Sequence, residues 1–230
     1  MLETLTLFFE NLGFRKVPEQ LEFLLNPENI PFAIWETLYA PLAATVLAYV
    51  IGLPLGILLV TGEEGGVRPL PKTLMRVLNA VINLLRSIPF LILMVVVMPL
   101  SRLILGTSVG TAATIVPLTV AAAPYVARLV EASLREMDRG VIEAAQSMGC
   151  STWQIVTKVM LPECKPSLIN GATNATITIL SYGAMSLMRG YARGQTIVLY
   201  VAVILLVILV QIIQSVGTRL SIRTDKRINK

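Results

Sequence analysis

EASLREMDRGVIEAAQSMGCSTWQIVTKVMLPECK, residues 131–165, is a long polar stretch set between two apolar ones. Before it runs AATIVPLTVAAAPYVARLV (112–130), and after it PSLINGATNATITILSYGAMSLM (166–188). A helix needs roughly 20 mostly apolar residues to cross a bilayer core. Working outward, the same kind of run recurs at 34–60, 74–100 and 196–216. The chain is 55% hydrophobic and 14% charged, against about 25% charged in a soluble domain. These observations predict an all-α integral membrane protein with five spans and a helical polar loop between the third and fourth.

The spans carry their own punctuation. Gly52 and Gly56 form a G-x-x-x-G around Pro54, a pattern that lets helices approach closely in lipid. Residues 61–73 form a turn-rich polar loop and 101–111 a short connection. Arg86 and Pro89 interrupt the second run. An arginine within a membrane is costly unless it faces a bundle interior or cavity. Arg86 therefore either borders a pathway through the bundle or sits in the headgroup zone. The fourth run is the most polar, with Asn170, Asn174, Thr178 and Ser181 on one helical face and Met185 continuing it. Such a stripe faces protein or water rather than lipid, as a pathway wall or as an interhelical hydrogen-bonding seam. Met185 is either a contact for a thioether or ordinary packing.

Basic residues set orientation. With five spans, one side collects those of 68–76, 128–165 and 219–230, while the other has Arg15, Lys16, Arg102, Arg189 and Arg193. The rule places the C-terminus in the cytoplasm and the N-terminus outside. Residues 1–30 are expected to be an extracytoplasmic or interfacial segment, 31–220 the membrane domain and 221–230 a basic cytoplasmic tail. Leu5, Phe8, Phe9 and Leu12 recur at helical spacing. They are consistent with a surface-lying amphipathic helix or with a loosely ordered leader.

Several chemistries are disfavoured. There is no histidine and no C-x-x-C, and Cys150 and Cys164 read as free thiols. No metal, cofactor or catalytic set is expected. A membrane-embedded enzyme would need paired carboxylates or a nucleophile and base within the spans, and a secondary transporter would show intramembrane acids or internal repeats. No G-x-x-x-x-G-K-[ST] is present, so any ATP site belongs to another chain.

Within 131–165, EAAQSM has good helix formers, Gly149 suits a left-handed cap, and Ser151 or Thr152 can open a second helix that Pro162 stops. Ala144 and Ala145 would admit a partner surface, with Met148, Trp153 and Ile155 as apolar anchors. Glu143-Ala144-Ala145-x3-Gly149, followed after nine residues by Val159-x-Leu161-Pro162, resembles the EAA loop of bacterial ABC-importer permeases, which has Ile at the Val159 position. That resemblance implies a loop of coupling helices, in which Glu143, Ala144, Ala145 and Gly149, with Trp153 beside them, contact an ATPase subunit. Trp35-Glu36-Thr37-Leu38, IGLPLGILL, LLRSIPFLIL, GTSVGTAATIVPLTVAAAPYVAR and LPECKPSLINGAT are similar to the methionine-uptake branch of these permeases. The resemblance covers residues 34–220 and implies a homodimer in the bacterial cytoplasmic membrane. Its partners would be two ATP-binding cassette subunits and an extracytoplasmic binding protein, and its cargo methionine, another amino acid or a sulfur-containing analogue. One departure stands out. The branch carries a glycine-rich outer segment resembling GxGGLGD between spans four and five, whereas here Ser181-Tyr182-Gly183-Ala184-Met185 leads almost directly to Arg189. Either the hairpin is short, or a family segment is absent at a join between Gly183 and Gly190.

Overall fold

A computed structural model describes residues 2–13, 16–27, 29–183 and 196–225. Two short helices, α1 (Leu2–Asn11) and α2 (Val17–Leu25), lead into α3 (Asn29–Thr61). Then come α4 (Lys72–Ser87), α5 (Phe90–Leu105) and α6 (Thr111–Arg135). The polar stretch folds as α7 (Arg139–Ser147) and α8 (Thr152–Gln154), which passes through a π-helical segment (Ile155–Met160) into α9 (Leu161–Glu163). The last helices are α10 (Lys165–Gly183) and α11 (Thr196–Thr224).

The centre of the fold is the crossing of α3 and α6. Ala44, Ala48, Gly52 and Gly56 are spaced by four and form one ridge of α3, with both alanines at 0% exposure. A Cβ on Gly52 would lie 2.8 Å from the Ala123 carbonyl oxygen, and one on Gly56 2.6 Å from that of Ala127. The two backbones are in contact, so glycine is obligatory at both positions. Lipid supplies no hydrophobic drive between helices, and close van der Waals packing supplies the attraction instead. Leu118, Ala122, Val126, Val130 and Leu134 of α6 share one core with Ala44 and Ala48 of α3 and with Ala175 and Ile179 of α10. Helix α11 closes the bundle by placing Gly217 against Thr173, and Ser221 Oγ donates to the Pro166 carbonyl at 2.9 Å.

The expected second span, residues 74–100, is not a single helix, because the chain breaks at Ile88–Pro89 and the flanking helices are bent by 107°. The reason is local: Pro89 pushes Ile88 into an extended conformation, with ψ at 126°. Helix α4 is also too amphipathic for a lone span, with Lys72, Arg76, Asn79, Asn83 and Arg86 along one side. By length and apolarity, three described helices can cross a membrane (Thr37–Thr61, Thr111–Arg135 and Thr196–Thr224), and four if the bent pair counts as one. The expected fourth span is not among them. Helix α10 is flanked by α3, α6 and α11. A helix so walled by protein does not need a lipid-like composition.

Pro162 lies near the end of the continuous helical stretch from Thr152 to Glu163, and the break falls two residues later at Cys164. The expectation about a join between Gly183 and Gly190 lies outside the described residues.

The α3–α6 contact makes a direct prediction. Gly52→Leu should lower the thermal midpoint of the purified protein, at a cost of roughly 1–3 kcal/mol or more, because a backbone oxygen rather than a movable side chain blocks the new atoms. Gly140→Ala, whose new Cβ would meet only Asp138 Oδ1 at 3.4 Å, should shift it little. A melting series on the two variants checks this.

Candidate coupling surface and pathway wall

The segment after α6 is rigid by construction. Asp138 caps α7, its side chain accepting from the Gly140 N–H at 2.9 Å. The other end closes as a Schellman motif: the Gly149 N–H donates to Gln146 at 2.9 Å, and the Cys150 N–H donates to Ala145 at 3.2 Å. Gly149 has φ +74°, which an L side chain adopts only under strain, and nothing lies within 4 Å of where its Cβ would be. Ser151 then opens α8 with a reciprocal capping box to Gln154. Of the two candidate caps, Ser151 is the one used.

These caps fix which side chains point outward. Glu143, Ala144 and Gly149 are exposed, and Met148 and Trp153 stand 76% and 75% exposed. Two expected surface residues are not on this surface. Ala145 is 2% exposed and Ile155 1%, both packed in the core that holds Leu134, Met137 and Met160. They anchor the projection to α6 rather than forming its outer face.

Helix α10 is inverted relative to a lipid-facing helix. Its apolar residues Ala175, Ile179 and Leu180 are buried, while Asn170, Asn174 and Ser181 are exposed and Thr178 is half-buried. The hydroxyls of Thr178 and Ser181 donate within their own helix, to the Asn174 and Ile177 carbonyls at 2.8 and 2.9 Å. Among the described residues of this one chain, neither hydroxyl bonds to another helix. Met185 lies outside the described residues. Phe90 and Tyr182 stack with ring centroids 4.2 Å apart. The stack brings the Ser181 end of α10 up to the α4–α5 break. Arg86 is exposed in the last turn of α4, one turn before that break.

Sequence reasoning missed a charged network against the middle of α4. Arg128 Nη1 donates to Glu131 Oε2 at 2.6 Å, and its Nη2 donates to Asn79 and Asn83 on α4 at 2.7 and 2.9 Å. Arg135 Nη2 donates to Glu131 Oε1 at 2.9 Å and to Glu63 Oε2, in the loop after α3, at 2.6 Å. Glu131 is thus a buried hub between two guanidiniums that ties α6 to α4 and to that loop. The signal was present as Arg-x-x-Glu-x-x-x-Arg, spacing that places all three on one helical face.

Among the described residues, helices apolar enough to cross a membrane, an exposed polar stripe on α10 and a capped projection between α6 and α10 are the architecture of a membrane transport subunit. The chain belongs to the binding-protein-dependent transport system inner membrane component family, whose model matches residues 52–190. It is 44% identical over 218 residues to the probable D-methionine transport system permease protein MetI of Vibrio cholerae, covering 89% of this chain and 96% of that one. It is 48% identical over 152 residues to the D-methionine transport system permease protein MetI of Escherichia coli K12, covering 66% and 70%. Among solved structures, an inward-facing MetNI methionine ABC transporter superposes with TM-score 0.80 at 42% identity, covering 84% of this chain and 94% of that one. An amino acid ABC transporter at 20% identity and TM-score 0.61 shares the fold.

Removing the hub should separate a buried partner from a rim partner. Glu131→Ala leaves two arginines facing each other and should approach the roughly 3–5 kcal/mol of a broken buried pair. Glu63→Ala removes a pair whose side chains are 44% and 29% exposed, and should cost about 0–1 kcal/mol. Unfolding midpoints of the two variants measure the ordering.

Proposed function

We propose that this chain is the permease subunit of an ATP-driven importer for methionine, acting as a homodimer with two ATPase subunits and an extracytoplasmic binding protein. The observation that carries the transport reading is the inversion of α10. A helix with a buried apolar face and an exposed polar one must meet protein or water in the membrane. Asn174, Thr178 and Ser181 accordingly line the pathway, with Arg86 near one end of it, and the second copy closes the other side. Helix α10 crosses the bilayer as the fourth of five spans, the bent α4–α5 pair forming the second. The names of the relatives support methionine as cargo.

Energy enters from outside the chain. The surface formed by Glu143, Ala144, Gly149 and Trp153 seats on the ATPase subunit, and buried Ala145 holds that surface to α6. Gly149→Trp should leave membrane insertion intact yet impair docking of the ATPase subunit or uncouple transport, lowering transport about tenfold or more, since a bulky side chain on a close contact costs roughly 1–3 kcal/mol. Unchanged transport would sink the coupling role. For cargo, ATPase stimulation in proteoliposomes with the cognate binding protein is measured against a panel of amino acids. Methionine should stimulate most, and a stronger response to another amino acid or sulfur-containing analogue would replace it.

The N-terminus is outside and the C-terminus in the cytoplasm. In intact cells, an impermeant maleimide should label a cysteine placed at Thr107 and leave one at Gly65 unlabelled. The reverse pattern refutes the orientation.

A further inference from the structure

Residues 1–30 precede the segment that the family model matches, yet they are built into the fold. Around α1, Leu5, Phe8, Phe9 and Leu12 fall on one side, with Thr6 and Glu10 on the other. Phe9 turns inward and packs on Val17, Leu21 and Ile197. The rest of the apolar side stays uncovered: Leu5 is 40% exposed, and Phe8 and Leu12 are each 59% exposed.

What fixes the depth of this helix is Gln20. Its side chain is buried at 2% exposure, and its Oε1 accepts from the backbone N–H of Ile197 at 2.8 Å and of Val198 at 3.3 Å. The first N–H groups of a helix have no partner within it, and at a membrane boundary an unmet one is expensive. Gln20 therefore caps α11 from α2, so α2 sits at the level where α11 begins. Beyond that level α11 offers Tyr200, Val203, Ile204 and Val207 outward, and only 6% of its apolar window is buried by the rest of the chain. Phe9 on Ile197 joins α1 to the beginning of this surface, and the uncovered residues of α1 lie at that end. In the sequence, Arg15 and Lys16 follow α1, cations suited to headgroup phosphates.

We propose that α1 lies in the bilayer interface at the N-terminal end of α11, with Phe8 and Leu12 among the outermost acyl carbons and Glu10 in water, held at that depth by the Gln20 cap. The occupant of the apolar side is lipid. The arrangement makes α1 and α2 a membrane-seated collar on the last span.

The test uses the assembled transporter in phosphatidylethanolamine–phosphatidylglycerol vesicles, in a Cys150→Ser, Cys164→Ser background. Nitroxides at Phe8→Cys and Glu10→Cys are compared for collision with oxygen and with a water-soluble nickel chelate. The Phe8 label should favour oxygen several-fold over the Glu10 label, and the Glu10 label should favour nickel. Equal nickel access at both positions overturns the proposal, because the segment is then solvated. Protection of the Phe8 label from both reagents also overturns it, because protein rather than lipid then covers that side. Adding Gln20→Leu should shift the Phe8 label toward nickel, whereas Gln20→Glu, which keeps an acceptor oxygen, should retain the oxygen preference. If Gln20→Leu assembles and leaves the Phe8 label unchanged, the cap does not set the depth.

Discussion

Backbone contact between α3 and α6 is the constraint on which the rest depends. Four small residues on one ridge of α3 let the helices close until the carbonyls of Ala123 and Ala127 meet Gly52 and Gly56. Val126 and Val130 of α6 fill the space left at Gly52 and Gly56, so the contact is a close fit with little room to adjust. Interiors of this kind repack between discrete arrangements rather than deforming smoothly. The α3–α6 pair thus behaves as one body, and the other elements are placed by how they attach to it. Helix α10 attaches through apolar core, α11 through Gly217 and Ser221, and α4 largely through polar groups.

That last attachment differs in kind. Arg128, Glu131 and Arg135 hold α4 and the α3–α4 loop by hydrogen bonds and charge, with a smaller apolar cluster of Leu59, Met75, Ile82 and Ala127 beneath. Charge-assisted hydrogen bonds are strong when their geometry is met and are lost over short displacements. The bundle therefore has a stiff centre and one arm, α4, whose hold is sensitive to small movements of α6.

How much of this was legible in the sequence follows from which forces act locally. Apolar runs reported the membrane helices, because bilayer thickness acts on each run separately. Gly149 and Ser151 reported their caps, because capping is decided within a few residues. The bend at Ile88–Pro89 was half legible: Pro89 was noticed, but hydropathy alone joined two helices with very different faces. The burial of Ala145 and Ile155 was not legible. Their exposure depends on how α7 and the π-helical segment lean on α6, a long-range fact that small and apolar residue types do not encode. The hub at Glu131 was legible as spacing but not as partners, since Asn79, Asn83 and Glu63 come from other elements.

The buried and exposed residues of the projection, taken together, say how a push on it would travel. Under the proposed coupling, load arrives at Trp153 and at the Gly149 turn, both held in shape by backbone caps rather than by soft contacts. Ala145, Ile155 and Met160 pass it into the core beside Leu134 and Met137. Leu134 lies one residue from Arg135 and three from Glu131, so a shift there changes the distances on which the α4 hydrogen bonds depend. Because α3 and α6 move as one body, α3 cannot absorb that shift, and the compliant elements are α4 and the α10 end joined to it by the Phe90–Tyr182 stack. These are the two elements whose polar residues, Arg86 and Ser181, face outward from the chain. Stiffness in the centre thus directs displacement toward the surfaces where a pathway between two copies would open.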